Sequence, residues 1–258
     1  MKIKFLLFAL LLTLCGTAQT TDMKRVDTSH PDTNKVDAAN HKTGVWMETM
    51  NGMNWYGHYV NDKREGSWVA YMAGWLPGRL EFYQNGMKNG PSISIDRSGT
   101  LIQEDNYKDD VLHGVSRTFY GGGRVKSEIH YTNGKLNGTR CLFAPDGKVQ
   151  EQGSYANDQK DGLFKWFYSE GAVLTESTYK NGLLEGPQVN YHKKGGKESE
   201  VLYKNNLRQG PYKEYYEDGK IKTEGEFKDD LEEGSWKLYD DTGKMHIVKY
   251  KKGAEIKK

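Results

Sequence analysis

Cysteine is nearly absent: Cys15 and Cys141 are the only two in 258 residues. Cys15 falls inside an apparent leader, so Cys141 is left alone, and neither an intramolecular disulfide nor a cysteine metal cluster can form. Aliphatic bulk is thin as well. Leu and Ile are scarce after residue 14, and hydrophobic residues make up 36% of the chain, too little for a thick aliphatic core. No charge dominates, since 37 Lys and Arg face 35 Asp and Glu, and a balanced chain sets up no field that selects nucleic acid. No stretch repeats its apolar residues every 3.6 positions, so helix is expected almost nowhere after the leader. There is no Gly-x-Ser-x-Gly elbow, no Walker lysine loop and no Gly-x-Gly-x-x-Gly opening a helix. These absences set the expectation of a non-enzymatic protein with no cofactor and no metal.

What the chain does have is 30 glycines and 12% aromatic residues, and one apolar run. Lys2 and Lys4 precede a nearly unbroken apolar stretch from Phe5 to Leu14, followed by Gly16-Thr17-Ala18. A basic start, a short apolar segment and small residues make a cleavable export signal, and about ten apolar residues are too few to span a bilayer. The expected cut follows Ala18. Lipidation of Cys15 is the alternative, opposed by Leu14, which stands where a lipoprotein signal wants a small residue. Residues 19–43 are rich in Thr, Asp, Asn and Lys and hold no aromatic residue; they read as a flexible polar linker. The mature protein is thus expected in the periplasm or secreted.

From residue 44 onward the sequence is periodic. Steps of 24 from Tyr59 reach Tyr83, Tyr107, Tyr131, Tyr155, Tyr179, Tyr203 and Phe227. Seven residues beyond each origin lies glycine, from Gly66 to Gly234, and two residues beyond each lies Asn or Asp. Sixteen residues beyond the origins, Gly99 to Gly243 recur in units two to eight. Twelve beyond, Tyr71, Ile95, Phe119, Phe143, Phe167, Tyr191, Tyr215 and Tyr239 supply a second beat. A half-unit at Gly44-Val45-Trp46 precedes the eight full units, and Tyr250-Lys251-Lys252-Gly253 opens a partial ninth, one residue early. Within a unit, Gly210–Tyr216 reads as one strand, Glu217-Asp218-Gly219-Lys220 as a tight turn and Ile221–Phe227 as the return strand. The glycine seven residues past each origin suggests a longer turn closed by a left-handed or bulged residue. The fold class is therefore all-β: an elongated single meandering antiparallel sheet of tandem 24-residue hairpins, about 80 Å long at the usual strand spacing. Register is not readable.

The pattern Tyr-Lys-Asn-Gly-x-x-x-Gly at Tyr179–Gly186, followed by an aromatic strand and Asp-Gly-Lys as at Asp146–Lys148, resembles the MORN repeat, and more closely its bacterial variant. The resemblance covers about residues 44–258. It implies a β-hairpin scaffold without catalytic residues, with membrane-surface or phospholipid binding and an antitoxin role as further implications. An antitoxin acts in the cytosol, which conflicts with the export signal.

The remaining chemistry-bearing residues carry bland readings. His30, His41, His58, His113, His130, His192 and His246 show no metal-ligand spacing. Asp109-Asp110, Asp229-Asp230 and Asp240-Asp241 sit in turns without a calcium-loop pattern. Glu104, Glu128, Glu176, Glu200 and Glu224 share one unit position, which makes them a solvated charged face rather than a catalytic pair. Lys244–Lys258 is a basic tail. The periodic tyrosines read as sheet packing. Trp55, Trp68, Trp75, Trp166, Tyr212 and Trp236 fall off that ladder and are the candidate interaction face, with burial against curled strands as the other reading. The expected function is an exported scaffold that binds another protein in the cell envelope. Membrane lipid is the alternative partner, and nucleic acid is not expected.

Overall fold

A computed structural model describes residues 33–73 and 76–257. Among them are 22 strands and no helix, all in one open antiparallel sheet. Strands pair in chain order, except that Val111–Leu112 and Gly114–Phe119 both pair with Leu101–Lys108, and Gln159–Lys160 and Gly162–Phe167 both pair with Val149–Ala156. Lys42–Met50 pairs with Met53–Val60, which pairs with Lys63–Met72, and the meander continues to Met245–Lys251.

From Asn61 onward two kinds of turn alternate, each on its own edge of the sheet. On one edge two consecutive residues take positive φ in nine places, for example Asn85 (53°) with Gly86 (86°) and Asp109 (50°) with Asp110 (66°), and Asn51-Gly52 makes the same turn on the opposite edge. Positive φ at both central residues defines the tight hairpin turn whose twist matches paired strands, and Asn, Asp and Gly accept that conformation most cheaply. The opposite edge carries longer turns. There the Gly99 amide donates to the Asp96 carbonyl, and the Asp96 amide donates to the Thr100 carbonyl, both at 2.9 Å; the pattern recurs through Gly243. The glycine at its end has φ between 78° and 98° in all seven units.

The two turn assignments made from the sequence are therefore exchanged. Asp218-Gly219 belongs to the longer turn, and the tight turn is the pair two and three residues past each origin. The glycine at seven closes no turn. It lies within a strand at a bulge, with φ of 112° at Gly138, where the pairing steps from Ile129↔Arg140 to Tyr131↔Leu136. The early start of the ninth unit has a similar cause. Other hairpins lose a residue to a bulge after the longer turn, as between Glu214 and Tyr215, whereas Tyr239↔Met245 continues into Leu238↔His246 without one.

The expected linker 19–43 ends sooner than drawn. Lys35–Val36 pairs with Lys42 and Thr43. Asn34 donates from Nδ2 to the Met47 carbonyl at 3.0 Å and accepts the Met47 amide at 2.7 Å. A first strand leaves backbone groups without partners, and this segment fills those places. The expected leader and the expected linker up to residue 32 lie outside the described residues.

Candidate interaction surfaces

Side chains alternate across the sheet, so each unit feeds two faces. The origin tyrosines share one face with a cross-strand row that runs Gly57, Trp68, Glu81, Ser92, Asp105, Ser116, Ile129, Arg140, Gly153, Phe164, Ser177, Gln188, Val201, Tyr212, Gly225 and Trp236. Large rings in this row rest on glycine. A Cβ on Gly57, Gly153 or Gly225 would lie 2.1–2.2 Å from the ring of Trp68, Phe164 or Trp236. Edge-on contacts then join each ring to its neighbours: Trp68 to Tyr59 at 5.1 Å, Phe164 to Tyr179 at 5.1 Å and Trp236 to Phe227 at 5.0 Å. Cations cover the stacks, with Arg64 4.2 Å over Trp68, Lys160 4.7 Å over Phe164 and Arg208 3.9 Å over Phe227. Each such contact contributes roughly 0.5–1 kcal/mol or more when desolvated.

Between the aromatic blocks the row turns polar and satisfies itself. Glu81 is 2% exposed and accepts from Tyr83 Oη at 2.6 Å and Lys88 Nζ at 2.7 Å. Ser116 Oγ donates to Asp105 at 2.7 Å, and Gln188 Nε2 to Ser177 Oγ at 2.8 Å. Desolvation and the Glu81 carboxylate push the Tyr83 phenol above its ordinary range.

Five of the six sequence candidates lie on this face, and they are its filling. Trp55, Trp68 and Trp236 are 2%, 0% and 6% exposed. Trp166 and Tyr212 are partly buried against Phe164 and Trp236. Rings this large bury one another once glycine lets them fold over the sheet, so they present little surface to a partner. Trp75 lies outside the described residues. The glycines that seat the rings stand outside the 7- and 16-residue glycine positions, and only their spacing of 11 residues before Trp68, Phe164 and Trp236 marks them.

The opposite face carries the glutamate column, which is partly buried rather than freely solvated. Arg117 Nε meets Glu128 at 2.8 Å, Lys165 meets Glu176 at 2.6 Å and Lys237 meets Glu224 at 2.8 Å. Tyr215 Oη donates to Glu200 at 2.6 Å, as Tyr191 does to Glu176 at 3.1 Å. These partners hold the carboxyls of Glu128 and Glu176 below their usual range, Arg117 and Lys165 being the main causes, while burial and Glu200 push the Tyr215 phenol up to about 12.

Both edges are stitched unit to unit. On the tight-turn edge, the second turn residue donates to the preceding unit, as Asp110 does to the Lys88 carbonyl, and its carboxylate accepts the Lys88 amide at 2.7 Å. On the other edge, Tyr120, Tyr168 and Tyr216 each donate to the carbonyl 23 residues ahead at 2.7–2.9 Å. What remains unused is a set of exposed aliphatic residues, Leu163, Leu183, Leu202, Leu207 and Leu231 among them, each 39–46% exposed. Among the described residues no group of His, Cys, Asp and Glu is arranged to hold a metal ion.

A single sheet of stacked hairpins, stapled along both edges, defines a β-repeat scaffold. The chain carries repeats of the MORN variant: the family model described as MORN repeat variant matches residues 112–133, 136–157, 160–181 and 208–229. The unmatched stretch between the third and fourth matches keeps the same strands and the same turn at Asn205-Asn206. No curated protein matches the chain. Among solved structures, a TarM mutant from S. aureus in complex with Fondaparinux, α-GlcNAc-glycerol and UDP is 12% identical over 46% of this chain and 21% of that one, with a TM-score of 0.20. A GtfA/B complex bound to UDP and GlcNAc is 16% identical over 53% and 22%, with a TM-score of 0.16. This chain spans about a fifth of the length of either protein, and likeness at that level carries no argument.

Proposed function

We propose that the protein is an exported, non-enzymatic scaffold that holds another protein in the cell envelope. The observation that supports this most is repetition on an open sheet: each 24-residue step returns the same surface position two strands along, so a partner can be held at several equivalent points. The aromatic face is consumed by its own packing, which leaves the opposite face and the turn edges for binding. The experiment is photo-crosslinking in intact cells, with a benzophenone amino acid placed singly at Leu163, Leu202 and Ile247, all exposed. The expected result is one protein adduct shared by at least two of these positions. Adducts to lipid alone would replace the scaffold with a membrane-binding module, and no adduct at any position would remove the scaffold reading.

A further inference from the structure

The tight-turn edge carries a row that its own packing leaves unused. Lys180, Lys204 and Lys228 stand directly across from Leu183, Leu207 and Leu231. All six side chains are exposed, the leucines by 39%, 42% and 44%, and none of the three lysines forms an ion pair among the described residues. The reason is visible in the turns. Nearby acidic groups are already engaged: Asp230 with the Arg208 amide and guanidinium, Glu185 with the Asn205 amide and Glu233 with the Lys252 amide. A shallow depression of about 150 Å³ closes the row at its end, lined by Lys228, Asp229, Leu231, Glu233 and Lys252.

The spacing of the row selects its occupant. Successive Lys–Leu pairs are two strands apart, about 9.6 Å at the usual strand separation. A polyproline II chain advances about 9.3 Å in three residues and returns to the same side at each turn. Three successive Lys–Leu pairs therefore match three turns of such a chain to within about 1 Å. We propose that this row binds an acidic segment in the polyproline II conformation, with a carboxylate every third residue meeting a lysine and an apolar neighbour resting on the facing leucine. The row is one lysine wide and flanked by carboxylates, which suits a single narrow chain and repels a broad anionic surface. This rests on the scaffold reading and supplies the chemistry of its partner.

The test uses the full chain and a fluorescein-labelled peptide of four Glu-Pro-Leu repeats, against a permuted peptide of the same composition with its glutamates clustered. Fluorescence anisotropy should show the spaced peptide binding at least about ten-fold more tightly, and weakening as salt rises from about 0.05 to about 0.5 M. The triple variant Lys180→Gln, Lys204→Gln, Lys228→Gln and the triple variant Leu183→Ser, Leu207→Ser, Leu231→Ser should each lose at least about ten-fold, with unchanged circular dichroism; replacement of the three lysines by arginine should retain binding. Equal binding of the two peptides, or indifference to both triple variants, overturns the proposal. Sedimentation with phosphatidylglycerol vesicles that depends on the same lysines, without peptide binding, assigns the row to a membrane instead. If the lysine variant keeps the parent's crosslinked partner in cells, the row is not the site and the scaffold stands; if the parent captures nothing, the scaffold itself fails.

Discussion

At the scale of single residues the decisive feature is reciprocity of size across neighbouring strands. Gly57, Gly153 and Gly225 are small because Trp68, Phe164 and Trp236 are large, and where the ring gives way to Ser92 or Ser116 the partner grows to Glu81 or Asp105. The native pair Val201 and Tyr212 is an intermediate solution. Gly225→Val drives a branched side chain into the Trp236 ring and should destabilise the protein by roughly 1–3 kcal/mol. Adding Trp236→Tyr recreates the native Val201–Tyr212 pair and also removes the buried indole Nε1 that lacks a partner. Thermal denaturation of the double-mutant cycle should show a coupling of about 1 kcal/mol or more in favour of the pair; strict additivity would contradict reciprocal packing. This row was not legible from the periodic glycines, because the small residue and its ring vary together from unit to unit and no fixed column marks them. The same variation made the tryptophans look free for binding.

The elements are hairpins whose turns bond to one another. Asp158 shows the turn device: its carboxylate accepts the Leu136 amide at 2.8 Å, and its own amide donates to the Leu136 carbonyl at 3.0 Å. Its φ is 68°, a conformation that glycine adopts without strain. Asp158→Gly trades a hydrogen bond for relief of strain and should change stability little, whereas Asp158→Ala loses the bond and keeps the strain, at a cost of about 1–2 kcal/mol. Chemical denaturation that ranks Ala at or above Gly would contradict the turn assignment. Asn and Asp past each origin were legible as turn residues; which turn was the tight one was not, because Asp-Gly suits both types.

The charged face belongs to the same scale and titrates. Glu128, Glu176 and Glu224 sit below the ordinary carboxylate value of 4.5, held there mainly by Arg117, Lys165 and Lys237, and Glu200 is held there by Lys197 first and Tyr215 second. A carboxylate depressed on folding adds stability above its unfolded pKa and loses it as pH falls through its folded pKa. The melting temperature should therefore be steady from neutral pH down to about 5 and fall below about 4.5. Glu200→Gln should flatten that fall; an unchanged acid limb would show the column to be merely solvated, as its periodicity alone suggested.

At the scale of the whole molecule, the 24-residue period made the all-β repeat legible, since eight aromatic origins and their glycines need no structure to be seen. Register was not, because bulges add residues that the period absorbs, as at Ile129 and Tyr131. The proposed export makes its own prediction: intact mass of the native protein should correspond to a chain beginning at Gln19, and an N-terminus at a lipid-bearing Cys15 would select the other signal type.

A sheet of stacked hairpins is a one-dimensional array in which each unit is held by its neighbours rather than by a common core. Gly138 tests it, with φ of 112° and space for a Cβ only 3.1 Å from His130 Cβ. Gly138→Val should strain the bulge by roughly 1–3 kcal/mol, and the damage should stay local. Hydrogen exchange followed by mass spectrometry should show faster exchange mainly between about Asn106 and Asn181, while the aromatic blocks around Trp68 and Trp236 keep their protection. Uniform loss of protection from Thr43 to Lys251 would show one cooperative domain and contradict the array.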